Sequence, residues 1–544
     1  MGRPIRRLRF DPAAALLPLL ALAACGDDGG QRQSGAADGR PTPGGTAVVA
    51  LGGDPDVLNP LIRTTTVAGT VMAEIYDSLT DLDEDLQWRP AIARSWEPDP
   101  DGLGLTYHLR PWVWSDGAPL TARDVAVTVA LFKDPRVASP QRGFFADVLG
   151  ADAVDDSTVH YRFARPLPDP LSRTFHNLVP AHLVQGLDPA TVGSWSINAV
   201  PLASGPYRLE SWERARQLSL VRNERYPGPA PLLERVVFRI MPEDQAAILA
   251  LEAGELDLVP NVPPADAHRL AAGGAVRIVA TGGRHLYFLQ WNFANPVFTG
   301  RDTRRALSLA IDRHRLIDTL VFGYGQPAAS PVAPACWNHD RDLAADGHDP
   351  QRARELLAAD GWADGDGDGI VEKDGRPLRF EILTRQGDPV RENGAVILRE
   401  NLRAVGADVS LRALELGAAL DLLAAGRFDA YLGLVTLNLY GDATPYLHSR
   451  ATDRFNQGRY ANAEVDSLLD AVLGMVDRAA AGRTWQRIQA LVAADQPVAY
   501  LFYPEILVGV GPRLQDVRPH MLSPFNNLAH WWIRPEDRRY RTGR

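Results

Sequence analysis

The sequence predicts an α/β protein with two lobes, and three observations carry that reading. Strand-like and helix-like segments alternate from about residue 46 onward. One local unit occurs once in each half of the chain, LEAGELDLV at 251–259 and LAAGRFDAYL at 423–432, each reading as helix, glycine C-cap, two residues, aspartate, strand. At 544 residues the chain exceeds what a single hydrophobic core organises, so two or three domains are expected. Ligands of open α/β sheets lie outside the carboxyl ends of strands, so the crevice between two such lobes is the expected ligand site.

The N-terminus reads as a targeting segment over residues 1–24. Arg3 to Arg9 supply a positive stretch and Ala13 to Ala21 a short apolar core, too short for a comfortable membrane span. Leu22-Ala23-Ala24-Cys25 resembles the lipobox of bacterial lipoproteins, which implies cleavage before Cys25 and lipidation of that residue; the alternative is an ordinary secretory signal followed by a chance cysteine. Acylated Cys25 would anchor the chain to a lipid bilayer, each buried CH₂ contributing ~0.8 kcal/mol. It would also leave Cys336, the one other cysteine, without a disulfide partner and read as a small buried apolar group. Residues 26–45, GDDGGQRQSGAADGRPTPGG, hold no large apolar residue, so 25–45 reads as lipidated cysteine plus a flexible tether of roughly 25 Å reach. The whole chain carries −10; losing four arginines and Asp11 with the leader leaves about −13, which argues against nucleic acid and anionic lipid surfaces as partners.

Folded structure is expected from the strand TAVVALGG at Thr46. The most articulate stretch is Arg94 to Val129. Asp99 to Gly102 make a turn, Leu105, Tyr107 and Leu109 alternate as a strand face, and Ser115-Asp116-Gly117 turn again. Thr121 then caps a helix, with Asp124 completing a variant capping box. Further helices are expected from Glu243, Asp302, Asp349-Pro350, near Val390, near Ala418, from Asn462 and near Ala479. The helix from Asp302 reads as continuous, with Leu307, Ala310, Ile311, Ile317, Leu320 and Val321 near one face and Gly323 at its end. Asp349, Pro350 and Gly361 bracket ARELLAAD as cap, first turn and terminator.

The wording of these segments resembles the bacterial extracellular solute-binding proteins of family 5, the peptide- and nickel-type binding proteins that feed ABC transporters. The resemblance rests on Trp96 to Arg110, Trp114-Ser115-Asp116-Gly117, Leu120-Thr121-Ala122 and Asp124-Val125. It continues through Leu58-Asn59-Pro60, Tyr76 to Leu79, Ser204 to Tyr207, Arg222-Asn223 with Tyr226, Ala250-Leu251 with Gly254 and Asp257, Asn292, Arg304 to Asp312, Gly361-Trp362 with Asp366 to Gly369, and Asn462 to Leu469. It implies a periplasmic-binding-protein type II fold of three domains. Lobe I would comprise 46–76, 205–290 and 505–544, the inserted domain 77–204 and lobe II 291–504, with chain crossings near 290 and 505 as the hinge. It also implies a monomeric, extracytoplasmic receptor without a cofactor, which takes a small polar, peptide-like ligand and hands it to an ABC permease.

Site residues follow from the same resemblance. RTTTVA at 63–68 falls in the first-lobe stretch that meets ligand backbone in the family, which selects Thr65, Thr66 and Val67. In the peptide-binding members, the strand after the helix–Gly–x–x–Asp unit leads to an aspartate that pairs with the ligand's α-ammonium. Counting from Gly426 and Asp429, that position falls on Asn438, or on Leu439 with one gap. An ammonium buried against Asn lacks its counter-ion at a cost of several kcal/mol. Asn438, Tyr440 and Asp442 are the candidates in this loop. Trp291 is the candidate for ligand stacking, from a set that includes Trp112, Trp114, Trp337, Trp531 and Trp532; core packing is the alternative for each.

Catalytic motifs are absent: the sequence has no G-x-S-x-G, H-E-x-x-H, P-loop or C-x-x-C. His176 and His182 flank Val179-Pro180 and read as satisfied or solvated side chains. Asp364, Asp366 and Asp368 match the first half of a calcium loop, but Gly375 stands where a bidentate Glu is needed, so an Asp/Gly turn without metal is expected. A secreted hydrolase of peptides or glycans is the competing function, and would need paired carboxylates around the Asp442 loop. Oligosaccharide, opine-like or metal-chelate ligands are alternatives to peptide, and presentation to a receptor is an alternative to transport.

Overall fold

The computed structural model describes residues 40–539, apart from 168, 439, 440 and 454. The expected leader, Cys25 and nearly all of the tether therefore lie outside the described residues.

Twelve strands form the principal sheet. They are β1 (Thr46–Leu51), β2 (Tyr207–Glu213), β3 (Gln217–Arg222), β4 (Arg235–Ile240), β5 (Leu258–Val259) and β6 (Arg277–Gly282). They continue as β7 (His285–Trp291), β8 (Gly325–Pro327), β9 (Arg379–Arg385), β10 (Asp408–Leu414), β11 (Ala430–Thr436) and β12 (Val498–Val510). The order is β2-β3-β4-β1-β5-β12-β7-β11-β9-β10, with β6 and β8 also on β12. The thirteen-residue β12 belongs to two half-sheets: its 505–510 stretch pairs with β5 and β6, and its 498–504 stretch with β7 and β8. Both faces of β1 are covered, Val49 and Leu51 in one cluster and Val48 and Ala50 in another, which is why TAVVAL is almost continuously apolar. The second half-sheet has its own core around Leu289, Trp291, Phe298, Phe380 and Leu432.

The repeated unit folds as expected in both places. Helices Asp244–Glu252 and Leu416–Ala424 end at Gly254 and Gly426, both with left-handed φ, and lead into β5 and β11. The aspartate of each unit pins the neighbouring parallel strand. Asp257 accepts the Val48 N–H of β1 at 2.7 Å, and Asp429 accepts the Glu381 N–H of β9 at 2.9 Å.

Between β1 and β2 the chain builds a separate four-stranded antiparallel sheet from Ala93–Pro98, Gly104–Leu109, Thr158–Phe163 and Val148–Ala153. Thr121 caps the helix Ala122–Lys133 and donates its N–H to Asp124 at 2.7 Å. Asp124 also accepts Trp114 Nε1 at 3.2 Å and the Ala181 N–H at 2.8 Å, so one buried carboxylate ties three segments together. Asp349 and Asn462 cap their helices as the sequence predicts.

One expectation needs correction. The stretch from Asp302 is two helices, Arg301–Ala310 and Arg313–Val321, broken at Ile311-Asp312. Gly300, and not Asp302, occupies the first cap, while Asp312 caps the second helix by accepting the Arg315 N–H at 2.9 Å. The buried Arg313 guanidinium stabilises the break by donating to the Ser308, Asp346 and Tyr500 carbonyls. Phe322 takes the left-handed C-cap one residue before Gly323. The apolar positions keep their face across the break, so periodicity does not reveal it.

Candidate functional site: the crevice at the carboxyl ends of two half-sheets

Register fixes where the strand ends meet. In the first half-sheet β1, β4 and β5 are parallel, and β5 runs antiparallel to β12 with Leu258 opposite Val510, so these strands end toward Glu505. In the second, β9, β10 and β11 are parallel, and Thr436 at the end of β11 lies opposite His285, the first residue of β7. The carboxyl ends of both parallel sets therefore point at one place from opposite sides. There the chain crosses between half-sheets at Gly283-Arg284 and again at Pro504-Glu505. The crossings touch: a Cβ on Gly283 would stand 2.5 Å from the Pro504 carbonyl oxygen, so only glycine permits the approach.

The first wall follows β1. Thr65 caps the helix Thr66–Ile75, accepting the Ala68 N–H at 3.2 Å and donating to Asp56 at 2.8 Å. Burial opposes charge on Asp56, but hydrogen bonds from the Thr64 hydroxyl and N–H and from Thr65 outweigh it and hold the carboxyl well below the usual range. Thr66 is exposed and Val67 half-buried at the first turn. Thr65 is thus committed to shaping the loop, and exposed Thr66 follows it on this wall.

The second wall follows β11. Asn438 closes its loop, donating Nδ2 to the Asp442 carbonyl at 2.5 Å and accepting the Asp442 N–H at 3.0 Å. Asp442, just before the next short helix, accepts the Thr444 N–H at 2.9 Å. Gly441, at φ +72°, is held by Asn338, whose Nδ2 donates to its carbonyl at 2.9 Å. Tyr440 lies outside the described residues. Beside the loop, Trp337 is half-buried with Arg478 stacked 4.9 Å from its ring centroid, and among the described residues its buried indole N–H has no hydrogen-bond partner, nor has the Thr444 hydroxyl.

The remaining tryptophans sit elsewhere. Trp291 is fully buried, stacked on Phe298 at 5.0 Å with Phe380 edge-on, so core packing takes the ring that sequence reasoning offered to a ligand. Trp112, Trp114, Trp531 and Trp532 are also buried. His176 is a core histidine, pushed down to about 4 by burial and bonded to the Tyr161 hydroxyl at 3.0 Å, while His182 pairs with Asp116 at 2.8 Å. Cys336 is buried, and burial pushes its thiol up to about 11. Asp364, Asp366 and Asp368 are exposed and their carboxylates accept N–H groups of their own turn.

Sequence reasoning missed Arg284. It stands in the crossing itself, half-buried, and its carbonyl accepts the Leu437 N–H at 2.7 Å, which binds the start of the Asn438 loop to the junction. The signal was a lone cation between two β-runs, GGRHLYF, whose meaning depends on where the runs pair.

Comparison with known proteins agrees with this fold. The family model for bacterial extracellular solute-binding proteins, family 5 middle, matches residues 87–457. The oligopeptide-binding protein AppA of Bacillus subtilis is 28% identical over 512 residues, covering 91% of this chain and 93% of its own. Its structure in complex with a nonapeptide superposes with a TM-score of 0.67 at 26% identity, over 91% of this chain and all of that one. The ABC transporter substrate-binding protein CtaP of Listeria monocytogenes gives a TM-score of 0.78 at 25% identity, over 90% of this chain and all of its own. The chain belongs to the bacterial extracellular solute-binding proteins of family 5.

Proposed function

We propose that this protein is the extracytoplasmic receptor of an ABC importer, capturing a peptide or similar polar solute between its lobes and presenting the closed form to a membrane permease. The observation that carries the reading is the convergence of both sets of parallel-strand ends on one narrow junction. A solute held there touches both walls only when they approach, so it favours the closed state by its differential affinity. The lobes would be 46–76 with 205–290 and 505–544, and 291–504, with 77–204 inserted and the crossings as hinge. Solute contacts would come from Thr65, Thr66 and Val67 on one wall and from Asn438, Tyr440 and Asp442 on the other. A leader cleaved before Cys25 and a lipid on that residue would hold a monomer at the membrane by its tether, without a cofactor.

A thermal-shift screen across peptides, sugars and chelates, joined to small-angle scattering, tests this. A true solute raises the melting point as RT ln(1 + [L]/Kd) and contracts the particle. A rise without contraction refutes closure, and turnover of the added peptide or glycan would make the protein a hydrolase.

A further inference from the structure

Arg284 stands in the chain crossing at the junction, and among the described residues its guanidinium has neither an ion-pair partner nor a hydrogen-bond acceptor. A half-buried cation without a counter-charge is costly, and among the described residues no carboxylate pairs with it: Glu505, opposite Gly282 in the second crossing, makes no ion pair with Arg284, and burial disfavours its charge. Asn438, joined to Arg284 through the Leu437 N–H, is uncharged and occupied in closing its own loop. Asp442 turns its carboxylate onto the Thr444 N–H. Cys336, within electrostatic reach of Arg284, is kept neutral by burial. The buried polar atoms beside the loop without a partner among the described residues are a pure donor, the Trp337 indole N–H, the Thr444 hydroxyl, which can donate, and one acceptor, Asn338 Oδ1. This end of the crevice therefore offers an unpaired cation and two groups able to donate.

We propose that Arg284 is a specificity-determining residue that receives a carboxylate of the solute, so that the acidic end, and not an ammonium, is seated against the Asn438 loop. The inference rests on the solute-receptor reading above and narrows it to carboxylate-bearing solutes. A guanidinium suits the task because its planar fork meets both oxygens of a carboxylate.

Titration calorimetry with short peptides, each as free acid and as C-terminal amide, tests the proposal on wild-type protein, R284K and R284Q. The free acids are expected to bind wild type about tenfold or more tightly than their amides, in line with a charge-assisted hydrogen bond. In R284Q that preference falls to about twofold or less, and R284K retains part of it. The unliganded melting point of R284Q should match wild type, since the side chain holds no other group among the described residues. Peptides that bind equally well as acid and amide, or an acid preference that survives in R284Q, overturn the role of Arg284 and leave the peptide reading standing. A panel in which neither form binds overturns the peptide reading, and this proposal with it.

Discussion

Glu74 lies on the helix whose first turn forms one wall of the crevice, and it is buried beneath that wall. Burial, with the nearby charges of Asp77 and Asp81, pushes its carboxyl up to about 8 from an ordinary 4.5. The folded state then holds a proton that the unfolded chain releases above pH ~4.5, so stability is greatest below that pH and declines as pH rises through about 8. The slope is about 1.4 kcal/mol per pH unit for one such group while it is fully protonated, or roughly 2 kcal/mol between pH 6 and pH 8. Asp77, raised to about 7 chiefly by burial, adds a decline of the same sign that ends one unit earlier. His176 acts oppositely: burial lowers it to about 4, so its contribution grows as pH rises from 4 to about 6.5 and is flat above. The window from pH 6.5 to 8 therefore isolates the carboxyls. Glu74→Gln is nearly isosteric and cannot ionise. Melting points of wild type and E74Q should converge near pH 5 and separate by pH 8, with E74Q the more stable. Parallel pH profiles for the two proteins would refute a protonated Glu74 and the burial argument behind it.

Four other substitutions or additions are informative. Gly441→Ala places a methyl 1.9 Å from Asn338 Oδ1 at a left-handed φ, and is expected to weaken solute binding at least tenfold with little change in global melting, because the strain is confined to the loop. Asp257→Ala strips the partner from buried Arg513 and from the Val48 N–H, and should cost about 3–5 kcal/mol in chemical denaturation. Arg165 pairs with Asp147 and donates to the Leu473 carbonyl at 2.9 Å, linking the inserted sheet to the second half of the chain, so Arg165→Ala should speed solute release several-fold in stopped-flow with its association rate little changed. Calcium added to chelated protein should give no heat below millimolar concentrations, and a micromolar site would contradict the reading of 364–369 as a plain turn.

Much of the scaffold is legible in the sequence because it is written in local chemistry. The Thr121 capping box, the Asp349-Pro350 start and the two glycine-terminated αβ units each need only residues within one turn of one another. The break at Ile311-Asp312 was illegible because it depends on Arg313 reaching the Tyr500 carbonyl, far away in sequence. Trp291 misled for a related reason: an indole at a strand end suits a crevice or a core equally, and its place was decided by Phe298 and Phe380. Thr65 and Thr66 stand together at one helix start, but that one caps the helix and the other faces solvent is a matter of the Asp56 geometry.

The two αβ units also explain why a fold of this kind separates architecture from specificity. Asp257 and Asp429 each clamp the backbone of the neighbouring parallel strand, and so fix the direction and register of the strands that end at the junction. Those bonds are to main chain and do not depend on what the strand ends carry. The loops beyond can therefore change composition at little cost to the scaffold: here the 438 position is an amide, and a guanidinium stands one backbone hydrogen bond away. The coupling between scaffold and loop is confined to a few close approaches, Gly283 on the Pro504 carbonyl and Gly441 on Asn338, where any side chain would move one wall against the other. Substitutions at those glycines should alter affinity for every solute alike, whereas substitutions at Arg284 should alter the ranking among solutes. A Gly283→Ala protein that changed the ranking but not the overall affinity would show that the junction reads the solute as well as bending around it.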